Sequence, residues 1–367
     1  MNINANRIVA LLGRQDGATD GVADYCASFG RAMVAHGYEV EIVRSEWPEL
    51  GWRAALTSLR RKAQLWRGCW VLFQFTGLGW SRRGFPVFAP RFLRILQKHG
   101  VRCGVVFHEF RSCVGDRLID RARQFCQQRV LRQLYELAEI AVFTVPLAIV
   151  SWLPKSRDKA VFIPIGANCP EPRSGLSDKR IEERSVAVYS VTGGAQALLE
   201  VSDIAYAMTR ASRAAGRLRL VVFGRGALEA ELDLRAGLAG TNVEVETLGL
   251  LSPEEVSRTL ASCDILLFVR GEISSRRGTA IAGIACGLPI ICYSGPETCW
   301  PVTEAGILSV PLRDIEGLSA ALEKVIADTK LREDLSGRSR RAQEQYFSWS
   351  VIAARFAAAL RADLSGK

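Results

Sequence analysis

Residues 264–295, DILLFVRGEISSRRGTAIAGIACGLPIICYSG, constrain the fold more than any other stretch of the chain. Asp264 to Val269 is a short apolar run entered from a polar turn, the pattern of a buried strand. A basic, glycine-bearing loop runs from Arg270 to Gly278, and the small residues Thr279 to Cys286 then form a helix. Gly287 and Pro289 end that helix, and Ile290 to Tyr293 starts another strand. A strand whose loop opens a helix aims unpaired N–H groups and a positive dipole end at one point, which suits a phosphate. An ordinary β-α-β unit of a buried parallel sheet has the same pattern, and the segment alone does not choose between them. Ala280, Ala282, Gly283 and Ala285 would let the helix lie close against its neighbours.

The same alternation covers most of the 367 residues. In the first half, strands are expected at Arg7 to Leu12, Glu39 to Val43, Trp70 to Phe75, Cys103 to His108, Ile140 to Thr144 and Ala160 to Ile165. Helices fill residues 21–36, 51–67, 90–99 and 116–139. Residues 170–185, PEPRSGLSDKRIEERS, are polar and rich in Pro, Gly and Ser, as an interdomain linker would be. A second series follows, with strands at Val186 to Ser190, Leu218 to Phe223, Val243 to Leu248, Ile265 to Val269, Ile290 to Cys292 and Ile307 to Val310. The expectation is an α/β chain of two doubly wound, Rossmann-like parallel-sheet domains, residues 1–170 and 171–345. Facing across a cleft, they would place ligand sites at the C-terminal ends of their strands.

Composition narrows the class. Hydrophobic residues at 49% and charged residues at 23% describe a globular chain rather than a disordered one. No run approaches the roughly eighteen apolar residues that span a bilayer, and the start, MNINANRIVALLGRQDG, lacks a basic leader segment and a cleavage site. The ten cysteines contain no CxxC pair, so a reducing cytoplasm is the expected compartment, with no disulfide framework or zinc site. Charge is lopsided. Residues 1–170 hold 24 basic against 13 acidic side chains, while residues 171–367 hold 24 against 25. Between Glu49 and Glu109 there are eleven basic residues and no acidic one. Such a field suits an anionic partner, whether phospholipid, lipid-linked phosphate or nucleic acid, although a solvated surface would also show it.

In their order and spacing these residues resemble the GT-B glycosyltransferases, specifically the retaining class called glycosyltransferase family 4 (group 1). The resemblance rests on DGVADYCASFGRAMVAHGYEVEIV and on FHE at 107–109 in the first half. In the second it rests on LRLVVFGRG, LGLLSPEEVSRTLASCDILLF, AIAGIACGLPII and LREDLSGRSRRAQEQYFSWSVIAARF. It implies transfer of a sugar, with retention, from a nucleotide-sugar donor held mainly by the second domain to a glycan or lipid-linked acceptor at the first. The sugar nucleotide is then a substrate, no cofactor is needed, and the last helix, residues 346–367, crosses back to the first domain.

Carried over position by position, the resemblance puts the family's glycine-rich loop on Gly17 to Gly21, where only Gly21 matches and Asp20 replaces a second glycine. His108, with Glu109 beside it, falls where a histidine contacts the donor sugar. The family's two glutamates align with Ser274 and Ala282, and its Arg and Lys after the first C-domain strand have no counterpart in SVTGGAQALL. Arg225, Arg270, Arg276 and Arg277 are the available cations, and a guanidinium suits bidentate phosphate contact. Arg276 or Arg277, with the N–H groups of Gly278 and Thr279, is expected to replace the missing pair. No Asp-x-Asp lies at a strand end, in keeping with metal independence. Loss of the glutamates and cations also fits a non-catalytic GT-B protein that binds a glycan, lipid or partner transferase.

Residues 51–67 place Trp52, Leu56, Leu59, Ala63 and Trp66 on one stripe and Arg53, Arg60 and Arg67 on a ridge beside it. GWSRRGF adds Arg82 and Arg83. The stripe reads either as a core face or as a shallow membrane-docking face, and the ridge suits lipid phosphate at the inner face of the cell membrane. Nucleic-acid binding would explain the basic half alone.

Overall fold

The computed structural model describes residues 6–15, 20–112, 115, 117–172 and 184–365, without the side chains of 363–365. It divides into two compact units, Met1–Pro164 with Trp349–Lys367, and Ile165–Ser348. Most of the stretch read as a linker, and residues 16–19 of the expected glycine-rich loop, lie outside the described residues.

In the first unit the order is β1 (Arg7–Leu12), α1 (Gly21–Met33), β2 (Glu39–Arg44), α2 (Trp47–Leu65), β3 (Trp70–Phe75), α3 (Ala89–Lys98), β4 (Arg102–Phe107), α4 (Leu118–Leu137), β5 (Ile140–Phe143) and β6 (Ala160–Phe162). The strands form one parallel sheet in the order β2-β1-β3-β4-β5-β6. β1, β3 and β4 are apolar along almost their whole length because helices cover both faces. Gly104 is a packing requirement, since a Cβ there would sit 2.6 Å from Leu72 Cδ2. The last helix, α11 (Trp349–Ser365), belongs to this unit: Ile352, Phe356 and Leu360 are buried with Ile8, Phe29 and Trp70.

The second unit runs β7 (Arg184–Tyr189), α5 (Ala195–Ala215), β8 (Leu218–Phe223), α6 (Ala227–Gly237), β9 (Val243–Gly249), α7 (Pro253–Ala261), β10 (Ile265–Glu272), α8 (Gly278–Ala285), β11 (Ile290–Ser294), β12 (Ile307–Pro311), α9 (Ile315–Ala327) and α10 (Thr329–Ala342). Its parallel sheet has the order β12-β11-β10-β7-β8-β9. α8 does lie close to the sheet, as its small residues suggest: a Cβ on Gly283 would meet Leu266 Cδ2 at 2.4 Å.

Each sheet has one place where the strand order reverses, between β1 and β3 in the first unit and between β7 and β10 in the second. Ligands of open α/β sheets bind beyond the strand C-termini at such switch points. Gly21 follows β1, and Arg270 to Thr279 end or follow β10, two of the strands at these switch points.

Candidate functional site

At the switch point of the second unit, β7 ends in a turn that only unusual backbone can make. Ser190 has φ 71°, and Gly194 has φ 72° with ψ −151°. The Ser190 N–H donates to the Phe223 carbonyl at 2.7 Å, and the Val191 N–H to the Arg225 carbonyl at 2.9 Å, so the turns after β7 and β8 are pressed together. A Cβ on Gly226 would lie 2.2 Å from the Val191 oxygen, whereas one on Gly193 or Gly194 would meet nothing within 4 Å. That open glycine pair leads into the N-terminus of α5, a 21-residue helix without a side-chain cap.

Arg270 reaches this point through an irregularity in β10. Phe268 pairs with Cys292, but the next pair joins Glu272 to Tyr293, so Val269, Arg270 and Gly271 are looped out. Gly271 supplies the positive φ of 74° that the loop requires. Arg270 thereby turns back to β7, where its Nε lies 3.4 Å from Thr192 Oγ1, in the field of Glu200 and Arg225. Burial lowers its pKa, and so does Arg225. Arg277 is likewise lowered by burial, then by Arg276 and by Arg270. Its Nε is buried without a hydrogen-bond partner. Arg225 thus raises the cost of charge on Arg270, and Arg270 that on Arg277, a field that an anion would relieve.

Two expectations are corrected here. Arg276 does not stand in for the missing cations, because its Nε and Nη2 donate to both oxygens of Glu297 at 2.7 and 3.0 Å. Glu297 is 3% exposed and needs that partner. Ser274 is not available to a donor either; it is fully buried, with its hydroxyl unpartnered. Gly278 and Thr279 open α8, and their N–H groups belong to the first turn, which no preceding helical carbonyl reaches.

Sequence reasoning missed Glu200 and Thr192. Glu200 is 1% exposed, and its Oε2 accepts the Thr192 N–H at 2.8 Å, bracing the glycine turn from behind. The available signal was one acid in the otherwise uncharged start of α5, AQALLEV.

At the edge of the first unit, His108 follows β4, and its N–H donates to the Phe75 carbonyl at 3.1 Å. Its Nε2 lies 2.8 Å from Oε1 of buried Gln74, which makes Nε2 the protonated nitrogen and leaves Nδ1 as an acceptor. Tyr25 packs edge-on at 5.0 Å and in turn meets Trp349 at 5.3 Å. Burial pushes the His108 pKa from 6.5 down to about 4, partly opposed by Asp20, so the imidazole is neutral at pH 7. It can accept a hydroxyl hydrogen bond but is a poor acid. Glu109 braces the backbone, since its Oε2 accepts the Gly77 N–H at 2.7 Å and holds the loop after β3.

The expected phosphate contact at Gly21 is also revised. Asp20 Oδ1 accepts the Val22 and Ala23 N–H groups at 3.1 Å each, and Oδ2 pairs with Arg44 at 2.8 Å. A carboxylate of the chain itself therefore holds the amides an anion would need. On α2 the apolar stripe faces inward, with Leu59, Ala63 and Trp66 buried and Trp52 packed against the same core. Arg53, Arg60, Arg67, Arg82 and Arg83 are exposed, Arg67 just past the helix end, and Arg82 Nη2 donates to the Pro48 carbonyl at 2.6 Å. Among the described residues no helix is long and apolar enough to cross a membrane.

Residues 200–342, within the second unit, match the family described as Glycosyl transferases group 1. Two curated relatives are mannosyltransferases. A GDP-mannose-dependent monoacylated alpha-(1-6)-phosphatidylinositol monomannoside mannosyltransferase of Corynebacterium glutamicum is 29% identical over 40% of this chain and 39% of its own length. An MMP alpha-(1->4)-mannosyltransferase of Mycolicibacterium hassiacum is 25% identical over 62% of this chain and 54% of its own. The matches therefore span between two fifths and a little over half of those relatives. Among solved structures, HepE of Anabaena in complex with UDP and glucose superposes with a TM-score of 0.68 at 14% identity, covering 97% of this chain and 99% of that one. At that identity the likeness establishes a shared fold.

Proposed function

The chain is a GT-B protein carrying a group 1 glycosyltransferase domain, and from that premise we propose that it moves a hexosyl group from a nucleotide-sugar donor to a glycan or lipid-linked acceptor. The observation that carries this reading is Arg270, which the β10 irregularity turns back to Thr192 beside the open Gly193–Gly194 turn at the β7–β10 switch point, within the field it shares with Arg225 and with Arg277. When the bond from sugar to diphosphate breaks, negative charge grows on the leaving oxygen. Guanidinium groups and helix-terminal amides fixed beforehand stabilise that charge more than they stabilise the ground state. On this reading the side chains supply the positive charge without a metal, and the reaction retains anomeric configuration, as the resemblance to the retaining class implies. The HepE complex with UDP and the GDP-mannose dependence of a relative support a nucleotide donor. The exposed arginines at 53, 60, 67, 82 and 83 support an acceptor bearing lipid phosphate at the inner face of the membrane.

Titration calorimetry against nucleoside diphosphates and their sugars tests this. One donor class should bind, and Arg270→Ala or Arg277→Ala should weaken it about tenfold or more, the size of a lost charged hydrogen bond. Binding that ignores both substitutions, or no nucleotide binding at all, overturns the reading. A non-catalytic role draws support from the buried Ser274 and Ala282, which stand where the family's glutamates would be. Donor binding with no sugar transfer to any acceptor would select it.

A further inference from the structure

The helices on one face of the first unit differ in what they show to solvent. α4 buries Gln127, Val130, Leu131, Leu134 and Tyr135. On its opposite side, Leu118, Ala122, Phe125, Arg129 and Arg132 follow one another at spacings of four and three residues, and all are exposed. Leu118 is 83% exposed, Phe125 70% and Ile119 51%. Three large apolar side chains in two turns, with nothing packed on them among the described residues, form a patch rather than the scattered apolar residues any surface has.

Basic residues surround the patch. Arg121, Arg129 and Arg132 are exposed and make no ion pair among the described residues. Asp120, the acid on the first turns, is tied to Arg123 at 2.5 Å, and Glu136 lies at the far end of the helix. The loop carrying Arg82 and Arg83 is fixed to α4, with Arg123 Nε donating to the Arg83 carbonyl at 3.0 Å and Gln127 Nε2 to the Gly84 carbonyl at 2.9 Å. α2 differs: its tryptophans point into the core, and Leu50 and Leu65 stand singly near its two ends. It can attract an anionic surface but has no apolar face to bury in one.

We infer that α4 is the membrane-docking element of this protein: Leu118, Ile119 and Phe125 enter the headgroup layer of an anionic bilayer while Arg82, Arg83, Arg121, Arg129 and Arg132 pair with lipid phosphates. An apolar stripe flanked by guanidinium groups fits that surface, since apolar area gives depth and each basic residue adds attraction. The position also suits docking. Ten residues lie between the end of β4 and the start of α4, so its apolar turns lie at the same edge of the sheet as His108. The inference rests on the lipid-linked acceptor of the proposed function, whose reactive end would be presented at that edge.

Vesicle cosedimentation of the full-length protein, with phosphatidylcholine alone or mixed with phosphatidylglycerol, decides the matter. Wild type should bind the anionic vesicles at least about tenfold more tightly than the neutral ones. The pairs Leu118→Ser/Phe125→Ser and Arg121→Glu/Arg129→Glu should each weaken that binding about tenfold, with melting temperature unchanged. The same charge change placed elsewhere, Arg213→Glu/Lys330→Glu, should weaken it less than about threefold. Absence of vesicle binding, equal loss from all charge pairs, or full binding by the folded α4 variants overturns the inference. So does a dimer in solution that Leu118→Ser/Phe125→Ser dissolves, because a second copy would then own the patch. Donor calorimetry on the same samples separates the two proposals: nucleotide binding without docking sinks only the surface, and docking without nucleotide binding sinks only sugar transfer.

Discussion

The two units share one plan, six parallel strands with a single reversal of order, yet the edges at their switch points are finished in opposite ways. In the first unit, Asp20, Glu109 and His108 at that edge are already engaged by the chain itself. Asp20 caps α1 and neutralises Arg44, Glu109 holds Gly77, and His108 is kept uncharged by burial and Gln74. In the second unit Arg270 lies beside a glycine turn with room in front of it, in the field of Arg225, and Arg277 lies in the field of Arg270. A doubly wound sheet thus supplies two equivalent places for an anion, and the side chains at the helix entrances decide which remains available. Among the described residues, burial disfavours the charge of two guanidinium groups at the second, Arg270 and Arg277.

Within the second unit the contrast between Arg276 and Arg277 gives the largest expected effect. Arg276→Ala would leave Glu297 buried without its bidentate partner. Breaking such a pair costs about 3 kcal/mol, toward the low end for a buried pair because the Arg276 side chain is a quarter exposed. Urea unfolding should show that loss, and Arg276→Ala/Glu297→Gln should recover part of it by removing the orphaned charge. If the single variant kept its stability but lost donor affinity, Arg276 would belong with the cations that meet the ligand, and the division drawn between these neighbours would fail.

His108 sharpens the comparison from the other side. Its pKa in the folded chain, about 4, lies below the ordinary 6.5, so protonation favours unfolding. The stability that its neutral form contributes is complete above pH 6.5 and is lost as pH falls toward 4. Between pH 7 and pH 4.5 the unfolding free energy of wild type relative to His108→Gln should fall by about 2 kcal/mol. The rate of sugar transfer should show no titration near pH 6.5. A group titrating there and removed by His108→Gln would mean that this edge does hold a charge-changing residue.

Much of this was legible from residues alone, and the failures have physical causes. β1, β3 and β8 fall on the expected residues, because buried parallel strands are apolar runs bounded by turn residues. Arg270 could be named as a cation, but its partners could not, because they depend on three residues leaving the β10–β11 ladder. A period-2 pattern carries no mark of such a bulge beyond Gly271. Arg276 was misplaced because Glu297 lies 21 positions away, beyond any local spacing rule. The direction of the α2 tryptophans was left open because a stripe shows which residues share a face, not what that face meets.

The smallest effect tests whether the first edge is closed by one side chain. Asp20→Gly removes the carboxylate that holds the Val22 and Ala23 amides and releases Arg44 from its 2.8 Å pair. Glycine is a tolerable helix cap, worse by only a few tenths of a kcal/mol, and a partly exposed ion pair adds little, so the total cost should stay below about 1 kcal/mol. What changes is the character of the site. The uncapped amides and a guanidinium already at hand form the arrangement that binds anions at helix N-termini. Inorganic phosphate at millimolar concentration should then raise the melting temperature of Asp20→Gly more than that of wild type, since ligand binding to the folded state stabilises it by mass action. Equal shifts in both proteins would mean that Asp20 is not what closes this edge, and that the difference between the two units arises from backbone shape instead.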